Sequence, residues 1–333
     1  MCAELSQMIG NQAIKNEIAV EIEACRRRET RFSHCLIQGP SGCGKTYLSN
    51  CIASALGIPF HDLDSSLVAD VFLDIFDELE VYPLQGKTMV FKPGIVLLDE
   101  AHRCNMEVQS ILLKILLEGV IYTHGLYYDV RKVSFFLAST NPEKLLPALR
   151  MRFPLQFSMR RYTIMEMCQL LMNLEIEDGG AIWRVKINPE IAHFVALRSR
   201  YTPRIGIFYM NRIYNHTRCL VDTPELVTNA MTLDVAREFF NMRKINNIGL
   251  TLVDFDYMRT LDKSAKTGVK TIAAQMEISE SEVVNTIEPY LRFLSYVDFS
   301  RGGRVLTPFG RQALNEFDSS EYASEQINDL MLS

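Results

Sequence analysis

The 333-residue chain has no apolar run long enough to cross a bilayer. Its most apolar window, Ile111 to Ile121, contains Lys114 and Glu118 and is too short to span. No secretory leader is read at the N-terminus, because Arg26-Arg27-Arg28 follows a polar helix and precedes no apolar stretch. Eight cysteines stand at 2, 25, 35, 43, 51, 104, 168 and 219, and no two are spaced as Cys-x-x-Cys. That excludes the usual zinc and dithiol redox patterns. Several lie in apolar runs and read as small core residues, which points to a reducing, cytoplasmic location. Cys43 lies inside a glycine-rich loop and is read as oxidisable. A positive excess is also missing: the formal net charge is −5. This balance does not favour nucleic-acid binding, but it does not exclude it, since the distribution of charge matters more than its sum. With 23% charged and 48% apolar residues, the composition is that of a soluble globular protein of two or three domains.

What is present starts with Gly39-Pro40-Ser41-Gly42-Cys43-Gly44-Lys45-Thr46, the phosphate-binding pattern G-x-x-x-x-G-K-[ST]. Glycines such as Gly42 and Gly44 let backbone N–H groups point inward around an anion. Lys45 supplies a mobile cation, and the Thr46 hydroxyl suits Mg²⁺. The flanks fit: His34 to Gln38 reads as a short buried strand, and Lys45 to Leu56 as a helix whose N-terminus faces the phosphates. Gly94 to Leu98 is a second apolar run, a buried parallel strand ending in Asp99-Glu100. Asp99 beside the loop would hold Mg²⁺, and Glu100 would polarise the attacking water. Ile58 to Leu63 is a further strand, 64–80 a helix, and 81–93 a loop or hairpin carrying Lys87 and Lys92. His102-Arg103 is either a partner contact or an exposed turn, and the turn is favoured.

Val108, Ile111, Leu112, Ile115 and Leu116 mark an amphipathic helix. Val120 to Val130 reads as two strands around His124-Gly125, with an aromatic face that either contacts a partner or packs on its own domain. Val133 to Ala138 is another buried strand, ending in Ser139-Thr140-Asn141. Arg150 and Arg152 are either solvated or include a finger inserted into a neighbouring subunit. Helices follow at 163–175, 189–199, 203–220 and 232–243. Asn188-Pro189 and Thr202-Pro203 are helix starts, which puts Arg204 in a first turn. A cation set against the dipole there points to an anionic partner, with simple exposure as the alternative. Asn246 to Gly249 reads as a linker. Helical patterns at 252–263, 268–276 and 279–294, then a strand–turn–strand with Arg301-Gly302-Gly303-Arg304 at its tip, form a winged helix. Glu280, Glu282 and Glu288 on the third helix would repel phosphate, so the Arg301/Arg304 wing is the better DNA contact. Residues 318–333 read as a frayed tail.

In order, Gly39–Thr46, Leu98-Asp99-Glu100-Ala101-His102-Arg103, Ala138-Ser139-Thr140, Leu149 to Phe153, Tyr201 to Ile205, Glu288-Pro289-Tyr290-Leu291 and Arg304 to Pro308 resemble the RuvB family. The first stretch is generic; Thr-Pro-Arg-Ile with Glu-Pro-Tyr-Leu is specific. The resemblance runs from Ile9-Gly10 to about Leu314. It implies an α/β P-loop AAA+ ATPase domain over 1–162, an all-α lid over 163–245 and a winged helix over 246–317. It also implies an ATP- and Mg²⁺-dependent motor that assembles as hexameric rings on duplex DNA and drives Holliday-junction branch migration. Carried over by position, Ile9, Tyr47 and Tyr162 would touch nucleotide, Thr140 would be the first sensor and Arg204 the second. Arg152 rather than Arg150 would be the finger acting in trans, and Arg304 would contact DNA. The chain departs from the family at Pro154 and Phe299, lacks the upstream Arg-Pro segment that helps hold adenine, and has a shorter hairpin over 118–133 without the Gly-rich turn. A RuvA-type partner therefore does not carry over outright. Two other classes share these parts: an ATP-controlled DNA-binding switch of the replication-initiator type, and a protein-remodelling scaffold.

Overall fold

The computed structural model describes residues 3–64, 81–83, 88–123, 125–178, 181–184, 186–221, 223–263, 266–300 and 302–319. The chain divides into two compact units. The first comprises Met1–Ile176, Arg184–Ile187 and Tyr201–Phe208; the second comprises Glu177–Trp183, Asn188–Arg200 and Tyr209–Ser333.

The first unit is built on five parallel strands: β1 (Cys35–Gln38), β2 (Phe60–Asp64), β5 (Gly94–Asp99), β8 (Val133–Ser139) and β9 (Leu155–Ser158). Their order is β2-β5-β8-β1-β9. Period-two alternation explains why apolar runs form these strands. Ile95, Leu97, Phe136 and Ala138 pack on one face against Ile18 and Ile22 of helix Gln12–Arg28 and Leu48 and Ile52 of helix Lys45–Leu56. Val96, Leu98, Phe135 and Leu137 face the other way, onto Val108, Leu112 and Ile115 of helix Met106–Glu118. That helix starts on Asn105, whose side chain accepts from Val108 N, and stops at Gly119 with φ 72°. In this order β1 lies between β8 and β9, while β5 lies on the other side of β8. The loop after β1, the acidic pair after β5 and Thr140 after β8 therefore share the carboxyl edge of the sheet, where ligands bind in open parallel sheets.

A smaller sheet has the order β3-β4-β7-β6, from β3 (Val81–Pro83), β4 (Thr88–Phe91), β6 (Val120–Thr123) and β7 (Leu126–Asp129). Residues 81–93, read as a loop or hairpin, hold the antiparallel pair β3–β4, and the two strands expected around His124-Gly125 are the antiparallel pair β6–β7. Tyr122 and Tyr127 pair across the second with ring centroids 4.8 Å apart and are exposed, whereas Tyr128 on the opposite face is buried. Of the helix expected over 64–80, Asp64 belongs to β2, and residues 65–80, like Lys87 and His124, lie outside the described residues.

In the second unit, Phe194, Tyr209, Phe239 and Phe240 form an edge-to-face aromatic cluster that joins helices Pro189–Arg198 and Leu233–Met242 to residues 209–218 of helix Pro203–Arg218. Three elements were missed in the sequence: helix Pro224–Ala230, the hairpin of β10 (Glu175–Asp178) with β11 (Ala181–Arg184), and a helix from residue 308. The first two are short. The winged helix follows: helices Leu252–Asp262 and Val269–Met276, a third helical stretch over 280–293, then the antiparallel pair β12 (Val297–Ser300) and β13 (Gly303–Leu306). Pro289 has no N–H and would clash with a carbonyl of the preceding turn, and the third stretch widens to a π turn over Val283–Ile287 just before it.

Three expectations need correction here. Asn246 to Gly249 is an ordered turn rather than a loose linker, with Asn246 Oδ1 accepting from Ile248 N and Leu250 N. Glu288 does not face solvent: it is 2% exposed and accepts from Tyr257 Oη at 3.0 Å and Arg304 Nε at 2.7 Å. A buried carboxylate needs such partners. Residues 318 and 319 do not fray but are helical, in a helix that starts at 308, and 320–333 lie outside the described residues.

Candidate nucleotide-binding and hydrolysis site

The glycine-rich loop is shaped by contacts that exclude side chains. A Cβ on Gly39 would stand 2.5 Å from Met159 O, and one on Gly42 2.8 Å from Thr202 Cγ2. Gly42 also has φ +74°, so it serves both backbone conformation and close approach. Lys45 opens the following helix and is 5% exposed, with its Nζ donating to Gly39 O at 3.1 Å and Pro40 O at 3.3 Å. Burial lowers its pKa, and the nearby carboxylates of Glu100 and Asp99 oppose the shift.

Thr46 Oγ1 donates to Asp99 Oδ2 at 2.6 Å, and Glu100 N donates to Asp99 Oδ1 at 2.8 Å. A hydroxyl beside a carboxylate is the hard oxygen donor set that Mg²⁺ takes, so these residues fit the ion. Glu100 adopts φ 48° and ψ 41°, unusual for an L residue. Its Oε2 accepts from Thr140 Oγ1 at 3.0 Å and lies 3.3 Å from His102 Nδ1, while its Oε1 lies 3.9 Å from Lys45 Nζ. Lys45, Thr46, Asp99, Glu100 and Thr140 are thus brought together as the spacing of the motifs implied.

For His102, the exposed turn is the favoured of the two expectations, and the structure corrects it. Its side chain is 9% exposed, and Nδ1 also lies 3.2 Å from Ser139 Oγ. The cause is local: Ala101–Arg103 forms a 3-10 turn directly after the left-handed Glu100, which folds residue 102 back over the carboxylate. Arg103 is exposed, as expected of a turn. Cys43 also needs correction: it is 0% exposed and burial raises its thiol pKa, so the accessible thiolate that oxidation requires is missing.

The segment 201–208 groups with this unit. Arg204 N donates to Gly42 O at 3.4 Å and its Nη1 to Ser41 Oγ at 3.3 Å, so the Arg204 side chain meets the phosphate loop. Arg161, which sequence reasoning did not single out, donates to Thr202 Oγ1 at 3.2 Å and lowers the Cys43 pKa electrostatically. Tyr162 is buried, its N–H donates to Tyr201 O at 3.1 Å, and burial pushes its phenol up to about 12. A Cβ on Gly44 would lie 3.9 Å from both Tyr162 Oη and Met8 Cε, which places Tyr162 beside the loop. Ile9 is partly buried next to Gly10, and Tyr47 is half exposed on the first turn of the loop's helix. The two finger candidates differ: Arg150 is partly buried, with an Nε that lacks a hydrogen-bond partner among the described residues, whereas Arg152 is exposed.

On the wing, Arg304 gives Nε and Nη2 to Glu288 at 2.7 and 3.3 Å and packs over the Phe299 ring at 4.8 Å. Its guanidinium is thus engaged within the domain, a role the DNA-contact expectation did not foresee. Arg301 lies outside the described residues.

A family profile described as the Holliday junction DNA helicase RuvB P-loop domain matches residues 2–159, and one described as the RuvB C-terminal winged helix domain matches residues 247–315. A Holliday junction branch migration complex subunit RuvB of Lactobacillus delbrueckii subsp. bulgaricus is 27% identical over 330 residues, covering 93% of this chain and 90% of the relative. A point variant of Thermotoga maritima RuvB has the same fold, with a TM-score of 0.76 at 24% identity over 93% of this chain and 97% of that one. The Thermotoga maritima RuvB Holliday junction branch migration motor gives 0.73 at 23% identity over 92% and 95%. Among the described residues, no helix is long and apolar enough to cross a membrane. The two profiles cover both ends of the motif series, from the phosphate loop to the wing, and the chain belongs to the RuvB family.

Proposed function

We propose that this chain is an ATP-driven motor that moves duplex DNA and drives Holliday-junction branch migration in recombination and repair. The observation that carries the proposal is the convergence of Lys45, Thr46, Asp99, Glu100 and Thr140 at one sheet edge, within hydrogen-bond or ion-pair distance of one another. The phosphate loop and Lys45 bind the triphosphate, and Arg204 senses it from the adjoining helix. Thr46 and Asp99 hold Mg²⁺, which when bound neutralises phosphate charge. Glu100 orients a water for attack on the γ-phosphorus; the bond to the ADP oxygen breaks and phosphate leaves. Ile9, Tyr47 and Tyr162 form the base-side wall.

The same reading assigns a nucleotide domain over 1–162, a lid over 163–245 and a winged helix over 246–317, in homo-hexameric rings working in the cytoplasm. Arg152 reaches the nucleotide of the next subunit. On the wing, Arg301 is the phosphate contact, and Arg304, tied to Glu288, holds β13 in place. A junction-binding partner of the RuvA kind would dock on the β6–β7 hairpin, where Tyr122 and Tyr127 are exposed.

The test is ATP turnover with and without duplex and four-way-junction DNA, alongside particle mass with Mg²⁺ and ATP. Strong stimulation with a hexamer-sized species supports the motor. Weak turnover that ignores DNA, in a monomer or dimer, would move the reading to a nucleotide-controlled DNA-binding switch.

A further inference from the structure

The Glu100 carboxylate has two unequal oxygens. Oε2 meets Thr140 Oγ1 at 3.0 Å and His102 Nδ1 at 3.3 Å, while Oε1 faces Lys45 Nζ at 3.9 Å. A carboxylate oxygen only accepts, so a hydrogen bond across this 3.3 Å approach takes the tautomer of His102 that carries the proton on Nδ1. The same nitrogen lies 3.2 Å from Ser139 Oγ, which itself accepts from Asn141 N at 3.1 Å. Asn141 Nδ2 in turn donates to Thr140 Oγ1 at 3.4 Å. The imidazole therefore ties the end of β8 to the end of β5, and it does so through the oxygen that Thr140 also holds. Glu100 needs such support, because its left-handed backbone does not by itself fix the side chain.

We propose that His102 is a positioning residue for hydrolysis: its neutral Nδ1–H, with Thr140, anchors Oε2 of Glu100, so that Oε1 alone is presented to the attacking water. The proposal rests on the reading of Glu100 as the water-orienting carboxylate. Burial keeps the imidazole neutral near pH 7 by lowering its pKa, with Glu100 opposing and Lys144 and Arg103 reinforcing the shift and Glu143 opposing it. Asn places an amide N–H where Nδ1 stands; Leu keeps bulk and removes the donor.

Two measurements test this. Long-range ¹⁵N–¹H NMR of the nucleotide-free protein should report His102 as the Nδ1–H tautomer, independently of any activity. An Nε2–H tautomer would overturn the proposal. In steady-state ATP hydrolysis, His102→Leu should lower kcat by roughly 10- to 100-fold, the scale of a misplaced catalytic group, with KM for ATP within about twofold. His102→Asn should restore kcat to within about threefold of the parent, since it returns the donor. Parental kcat in His102→Leu, or an equal loss in His102→Asn with its melting temperature unchanged, would sink the idea. Glu100→Gln serves as the control: if it turns over normally, the reading of Glu100 fails, while the tautomer still decides whether His102 donates to Oε2.

Discussion

Glu100 holds a backbone conformation that L residues avoid, and its carboxylate is fixed by side chains from three segments. An amide at this position keeps the hydrogen bonds but loses the negative charge that draws in water. Glu100→Gln should therefore retain ATP binding and lose turnover by about 10²- to 10⁴-fold, checked by nucleotide titration beside steady-state kinetics. Glu166 offers a pH test. Hydrogen bonds from Arg160 pull its pKa down to about 2 from the usual 4.5, with burial opposing and Thr163 adding. A depressed carboxylate pKa stabilises the fold fully above the ordinary value, and that stability is lost as pH falls through the folded value. Chemical denaturation from pH 6 to 2 should show the parent converging on Glu166→Gln toward the acid end, starting near the ordinary 4.5 and finishing near 2. A constant gap would mean that Glu166 is not ionised through the pair.

Elements in the second unit are fastened by buried charge. Arg200 donates its Nε to Gly249 O at 2.8 Å and its Nη2 to Asp254 Oδ2, which also accepts from Thr251 N and Oγ1 at 2.7 Å. Asp254 is 1% exposed and caps helix Leu252–Asp262, while Arg200 follows helix Pro189–Arg198 with φ 52°. Removing the carboxylate strands a buried guanidinium. Asp254→Ala should cost about 3–5 kcal/mol in urea unfolding, far above an exposed pair, and Asp254→Asn less, since the amide keeps an acceptor. A loss under about 1 kcal/mol would mean that water replaces the carboxylate. In the first unit, the β6–β7 hairpin leaves Tyr122 and Tyr127 on an outward face, while Ile121 and Tyr128 anchor it in the core.

For the whole molecule, the proposed ring has the nucleotide site of one copy completed by Arg152 of the next. Arg152 is exposed, with Met151 at 83% exposure before it and Phe153 buried after it, so the arginine is presented outward from a fixed base. Arg152→Ala should assemble with ATP yet hydrolyse about 10³- to 10⁵-fold more slowly, as removal of a trans-acting arginine does. Mixing Arg152→Ala with Lys45→Ala subunits should rescue turnover, read as a maximum in activity against mixing ratio. Full activity of Arg152→Ala alone would remove it from the mechanism.

The chain's own order of residues determined four of the five strands of the nucleotide fold, all but the short β9, with the Lys45–Thr46 and Asp99–Glu100 pairs and the winged helix, because each depends on local spacing. Continuous apolar runs make strands buried on both faces, glycines admit the loop, and a carboxylate after a buried strand falls at the sheet edge. Short elements such as β10–β11 and Pro224–Ala230 carried too few residues for a periodic signal. Only the tertiary structure decided which polar side chains turn inward. His102 faces Glu100 because a 3-10 turn follows a left-handed residue, and Glu288 is buried because Tyr257 and Arg304 arrive from distant segments to satisfy it. Whether a charged side chain meets water or a partner depends on what folds against it, and residues far apart in the chain supply that partner.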